Sequence, residues 1–197
     1  MKQLHQKHHK FVKDCLDKGD YETTEGGILI HGGIMASGIY YEGVRGKGDR
    51  REHKNLVPTE GINYLLGVAL GGVSVAAGFY LAPFSGATAP AATWAAANFA
   101  STASEITSTT NGFSQTTRPA WTPGSVSSGS IDNLSAEAAF NVVTTTSVTI
   151  TGAALLTNNT RGGTSGSLIS ATAFSASRLV YSGDVWDCGY RITLTAS

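Results

Sequence analysis

The stretch INYLLGVALGGVSVAAGFYLA, residues 62–82, runs without a charged side chain and is long enough to cross a bilayer. Its hydrophobic period decides what it is. Ile62, Leu65, Leu66, Ala69 and Leu70 recur at helical spacing. Pro58 and Thr59 are suited to a helix start, and Glu60 falls in the first turn, where a negative charge meets the positive end of the helix. Gly71–Gly72 then stops the run. Beyond it Val73, Val75, Ala77, Phe79 and Leu81 alternate with Ser74, Ala76, Gly78 and Tyr80, the period of a strand. A membrane-spanning helix keeps one period for about 20 residues. The tract therefore predicts a helix over 59–70 and a buried strand over 73–81, the start of a folded core and not an anchor.

The rest of the chain after Asn55 has the same texture. SVTITGAALLT (147–157) sets Val148, Ile150, Gly152, Ala154 and Leu156 on one face, with Thr149 and Thr151 opposite. LISATAFSASRLVYS (168–182) is rich in strand-compatible residues. In DVWDCGYRITLTAS, Trp186, Cys188, Tyr190, Ile192 and Leu194 alternate with Asp187, Arg191, Thr193 and Thr195, which predicts a strand with the first set facing the core. Thr-Pro-Gly at 122–124, Asn158–Asn159 with Arg161-Gly162-Gly163, and Ser182-Gly183-Asp184 mark turns. TWAAANF (93–99) reads as a short helix, and the Ser/Thr-rich stretch after it as a long loop or irregular edge strand. The expected fold is mainly β: an antiparallel sandwich or jelly-roll-like core over 55–197 with one short helix at its start.

Residues 1–54 read differently, as an extended N-terminal arm. Phe11, Val12, Cys15 and Leu16 lie at helical spacing before Gly19, giving a short helix with a narrow apolar stripe that needs a surface to lie on. GGILIHGG and MASGIYYEGV are short extended segments, with a hairpin expected about Gly32–Gly33. GVRGKGDRREHK (43–54) reads as a flexible basic linker. Ten of the 14 Lys/Arg and nine of the 14 Asp/Glu lie in residues 1–60. The remainder carries so few charges that a freely solvated surface is not expected of it.

The formal net charge of zero provides no field to gather nucleic acid or an anionic membrane. Cys15 and Cys188 make neither a disulfide framework nor a zinc signature, and both are expected reduced. Residues 1–15 lack the apolar run of a signal peptide, so export is not expected. Signs of chemistry are weak. The run Gly162-Gly163-Thr164-Ser165-Gly166 has threonine where a nucleophile elbow needs serine, and no phosphate-binding glycine loop is present. His5, His8 and His9 sit in a terminus without a fixed geometry for a metal, and His31 among apolar residues reads as a packed histidine. The expectation is no enzyme, no cofactor and no metal. Arg45, Lys47, Arg50, Arg51 and Lys54 lack interleaved aromatics and are mixed with Glu42, Asp49 and Glu52, so acidic groups of a protein partner suit them better than nucleic acid.

Six stretches, NLVPTEGINYLL, GFYLAPFSG, TWAAANFA, TTRPAW, GGTSGSLIS with AFSASR, and SGDVWDCGYRITLTAS, together resemble a group of small tailed-bacteriophage virion proteins encoded among head genes, in the same order over nearly all of 55–197. The resemblance implies a β-rich cement or decoration protein on the outside of the capsid, assembled in the host cytoplasm and bound to the major capsid protein and to copies of itself. A head–tail adaptor or tail protein is the alternative, and a membrane-associated phage protein a weaker one. The N-terminal arm departs from shorter members of the group. On this reading the arm docks, with Phe11, Val12, Leu16, Ile28, Ile30, Arg45, Lys47, Arg50 and Arg51 as the partner-binding residues.

Overall fold

The computed structural model describes residues 21–24, 27–30 and 34–196, with side-chain surroundings from 36 to 195. The chain divides into two compact units, Met1–Met35 with Thr195–Ser197, and Ala36–Leu194. The expected helix over 6–18 lies outside the described residues. In the smaller unit β1 (Tyr21–Thr24) pairs antiparallel with β2 (Gly27–Ile30), Tyr21 opposite Ile30. The described partner of β2 is thus the preceding strand, whereas the sequence suggested the following one.

The larger unit is a β-sandwich of two antiparallel sheets. One runs in the order β4 (Arg51–Lys54), β3 (Ile34–Val44), β12 (Val185–Ala196), β9 (Ala138–Val143), β6 (Gly112–Phe113), with β8 (Ser130–Asp132) also on β12. The other runs β11 (Leu168–Val180), β10 (Val148–Leu156), β5 (Phe79–Phe84), β7 (Ala120–Trp121). Between them lies the main core, where Tyr40, Ile150, Leu155, Trp186, Cys188 and Tyr190 are all but completely buried. Residues 36–54, assigned to the arm by sequence, belong to this unit. The supposed basic linker is the β3–β4 hairpin, which turns on Gly46 and Gly48 at positive φ.

Two helices complete the unit, one in each of the two stretches read as helical. Helix α1 (Thr59–Leu70) follows Pro58 as expected, and the Gly71 N–H closes it on the Leu66 and Gly67 carbonyls. Helix α2 (Ala96–Thr102) packs Phe99 and Ala103 with Trp94, Phe84 and Leu156 on the outer face of the four-stranded sheet. Because α2 covers that face, β10 is buried on both sides from Gly152 to Leu156. Ala153 and Leu155 point into the main core, while Ala154 and Leu156 point under the helix. The single face expected for Val148 through Leu156 therefore breaks at Gly152, where the register with β11 is irregular and the strand changes phase. A Cβ on Gly152 would meet the Phe84 ring at 2.1 Å, so glycine makes the room that ring occupies.

The strand predicted over 73–81 begins only at Phe79. Residues 71–78 instead fold back on α1, with the Val73 N–H on the Gly67 carbonyl and the Ala76 N–H on the Tyr64 hydroxyl. The neighbouring strands set this limit: β10 pairs with β5 only from Tyr80 to Phe84, so a longer β5 would have no ladder to join. In β12 the alternation holds for Trp186, Cys188 and Tyr190; Ile192 is half-buried, and Leu194, 51% exposed, lies past the core's edge. Among the described residues no helix is long and apolar enough to cross a membrane.

Two stability measurements check this packing. A Cβ on Gly61 would sit 2.2 Å from the Ile169 carbonyl oxygen of β11, so Gly61→Ala is expected to cost about 1–3 kcal/mol in chemical denaturation by forcing α1 off the sheet. Ile192→Ala should cost about 1–2 kcal/mol and Leu194→Ala under about 0.5 kcal/mol, the order their burial dictates.

Candidate functional site

Ionisable side chains inside the sandwich are few and placed as pairs. Glu42 sits on β3 at the same parity as Tyr40 and Val44, which turns its carboxylate into the core. Opposite it, across the two layers, Arg178 on β11 donates from Nε at 2.8 Å and from Nη2 at 3.0 Å. The Trp186 indole on β12 donates to the same carboxylate at 2.9 Å, and His53 Nε2 on β4 stands 3.5 Å away. The remaining Arg178 donors reach Asp49, at Oδ2 and at its carbonyl oxygen, 2.7 Å away, while Asp49 Oδ1 accepts the Val44 N–H. Burial opposes ionisation of Glu42, but hydrogen bonds with His53, Arg178 and Trp186, and the Arg178 charge, outweigh it and hold the pKa at about 2.

A second pair organises the loops at another end of the sandwich. Buried Arg118 meets Glu105 through two parallel hydrogen bonds of 2.8 Å, and its Nη1 donates to the Asn158 carbonyl. Glu105 also accepts the Gly162 N–H, and Arg161 donates to the carbonyls of Ile106, Ser108, Phe113 and Gln115. Burial lowers the Arg161 pKa, against the opposing pull of Glu105. Glu60 in the first turn of α1 accepts the N–H groups of Ala96 and Leu168 at 2.8 and 2.6 Å, tying α1 to α2 and to β11. In each case these acids and bases close on the protein's own backbone and side chains, an arrangement that orders loops. Cys188 is packed in the core, where burial and then the charges of Glu137 and Glu42 push its thiol pKa well up, so it stays an unreactive thiol. Among the described residues no group of three or more His, Cys, Asp and Glu is placed to hold a metal ion.

Of the residues singled out by sequence, Phe11, Val12 and Leu16 lie outside the described residues, and Ile28 and Ile30 fall on β2 of the small hairpin. The four basic ones have acidic groups of the chain itself within reach. Arg45 pairs with Asp187 at 2.6 Å, Lys47 with Asp184 at 2.9 Å and Arg50 with Glu137 at 2.5 Å, while Arg51 lies 3.7 Å from Glu42. Strand order brings the acids of Arg45, Lys47 and Arg50, which lie 142, 137 and 87 positions away in sequence, to the β3–β4 hairpin, so these cations find internal partners. Arg50 and Arg191 also flank the Tyr41 ring, at 5.0 and 5.9 Å. The first three pairs are about half exposed on the cation side and each contributes little. The Glu42–Arg178 pair was missed, and its signal was present: a lone acid and a lone base, each at core parity in an apolar strand.

The outer helical surface is the opposite of the paired interior. No charged residue occurs between Glu60 and Glu105. Along α1 and the segment after it, Ile62, Leu66, Leu70, Val73 and Val75 face solvent. No protein-family model matches the chain, and no curated protein matches it.

The low Glu42 pKa fixes a pH dependence. A carboxyl held at about 2 instead of its ordinary 4.5 adds about 3 kcal/mol to stability above pH 4.5, and this is lost as pH falls from 4.5 towards 2. Denaturation midpoints of the wild type should fall steeply over that window, while Glu42→Gln, already destabilised at neutral pH, should show a much flatter acid limb.

Proposed function

We propose that the chain is a structural protein of a tailed-bacteriophage virion, of the cement or decoration kind, which binds the outside of the capsid shell through the major capsid protein. The observation that carries this reading is the distribution of charge. Interior charges close on one another as structural pairs, whereas the outer helical layer beyond Glu60 is uncharged and exposes aliphatic side chains. Such a molecule is built to be covered by neighbours. The six stretches that resemble phage head proteins supply the identity of those neighbours, and the β-sandwich agrees with the fold that the resemblance implies. Many weak contacts repeated over a shell hold firmly through avidity.

Docking is assigned to residues 1–35, including Phe11, Val12, Leu16, Ile28 and Ile30. The boundary matters for the experiment. Removing residues 1–54 would take away β3, β4 and Glu42, and with them the sandwich. Removing 1–35 trims only the first two residues of β3 and leaves β4, Glu42 and the rest of the larger unit in place.

In purified particles the protein should be present in copy numbers comparable with the major capsid protein; a small fraction of that, as in a single ring, contradicts the cement role. The chain lacking residues 1–35 should unfold cooperatively as the full chain does, yet lose most of its occupancy on undecorated capsids. Undiminished occupancy would move the binding surface onto 36–194.

A further inference from the structure

We infer that the apolar ridge of α1 is a self-association surface, on which a second copy of this chain packs the same ridge about a two-fold axis. This inference stands on the geometry of the larger unit and does not rest on the virion reading. Ile62, Leu66 and Leu70 are spaced i, i+4, i+8 and form one line along α1, exposed by 45, 54 and 84%. Val73 and Val75, exposed by 54 and 63%, lie on the segment that folds back against Gly67 and Tyr64 and add aliphatic surface alongside the helix. The inward side of the helix is already engaged through Gly61 against β11 and Tyr64 against Phe79, so this line is a second apolar side that the fold of the larger unit does not use.

Charge and area select the occupant. The chain carries no charged residue from Gly61 to Ser104, so a charged group of a partner set on this ridge would lose hydration without gaining a counter-charge from it. The same ridge on a second copy carries no charge either, and its row of three aliphatic side chains fits beside the first as helix ridges pack into grooves. Five aliphatic side chains with these exposures offer roughly 500 Å² per copy, or about 1,000 Å² in a symmetric pair, the lower end of specific interfaces. The expected dimer is therefore weak and concentration-dependent, in the micromolar range typical of such small interfaces.

Sedimentation velocity on the full chain over a wide concentration range tests this. The wild type should move from monomer towards twice the monomer mass. Leu66→Asp with Leu70→Asp should weaken the association at least about tenfold, because two carboxylates would be buried without partners. Val75→Asp, which lies outside α1 and leaves the helix untouched, should weaken it in the same direction. Tyr181→Asp, at an exposed aromatic just past the end of β11 opposite to Ile169, where α1 packs, should leave it unchanged. Unfolding midpoints close to wild type show that the variants are folded. A wild type that stays monomeric, or an α1 double variant that associates as the wild type does, overturns the inference; a monomeric wild type would give the ridge to a different protein.

Discussion

A carboxylate and a guanidinium, drawn out of water between two sheets, set the terms for the rest of this structure. Glu42 and Arg178 belong to different layers of the sandwich, and every strong acceptor or donor on them has a partner from Trp186, His53 or Asp49. Such a pair is costly to bury and costlier to break, because the survivor is left as an unpaired interior charge. Its consequence is register. Glu42 can meet Arg178 only if β3 and β11 face each other at one offset, which also fixes where the β3–β4 turn lies and so which acids Arg45, Lys47 and Arg50 reach.

The layered build explains the uneven surface. The four-stranded sheet has two apolar faces, one against the six-stranded sheet and one under α2. Glu60 holds the helical layer by its backbone, accepting from Ala96 and Leu168, so α1 is fastened at its N-terminal end. The outward line of α1, Ile62, Leu66 and Leu70, is free to carry side chains selected for something other than folding. An aliphatic row exposed to water lowers solubility, which favours a protein whose working state is assembled.

Much of this was legible in the sequence. The 59–70 helix, its glycine stop and the burial of Trp186, Cys188 and Tyr190 follow from period alone. What failed did so for reasons of tertiary context. Val73 and Val75 alternate as a strand does, yet β10 has no length left to pair with them. Ala154 and Leu156 share parity with Val148, but a phase change at Gly152 and the cover provided by α2 put them in a different core. The basic run in 45–51 looked free because its acids lie far away in sequence and come near only through strand order. Glu42 and Arg178 could have been paired in advance from their parity, since an isolated charge at a core position needs an opposite one.

A double-mutant cycle across the layers tests the central claim most directly. Glu42→Gln, Arg178→Met and the double variant are compared by denaturation at neutral pH. Each single substitution should cost about 3–5 kcal/mol, and the double variant should cost less than their sum by about 2–3 kcal/mol, because removing both charges leaves none stranded. Single losses under about 1 kcal/mol with no measurable coupling would contradict the account, for the sandwich would then be held without its buried pair.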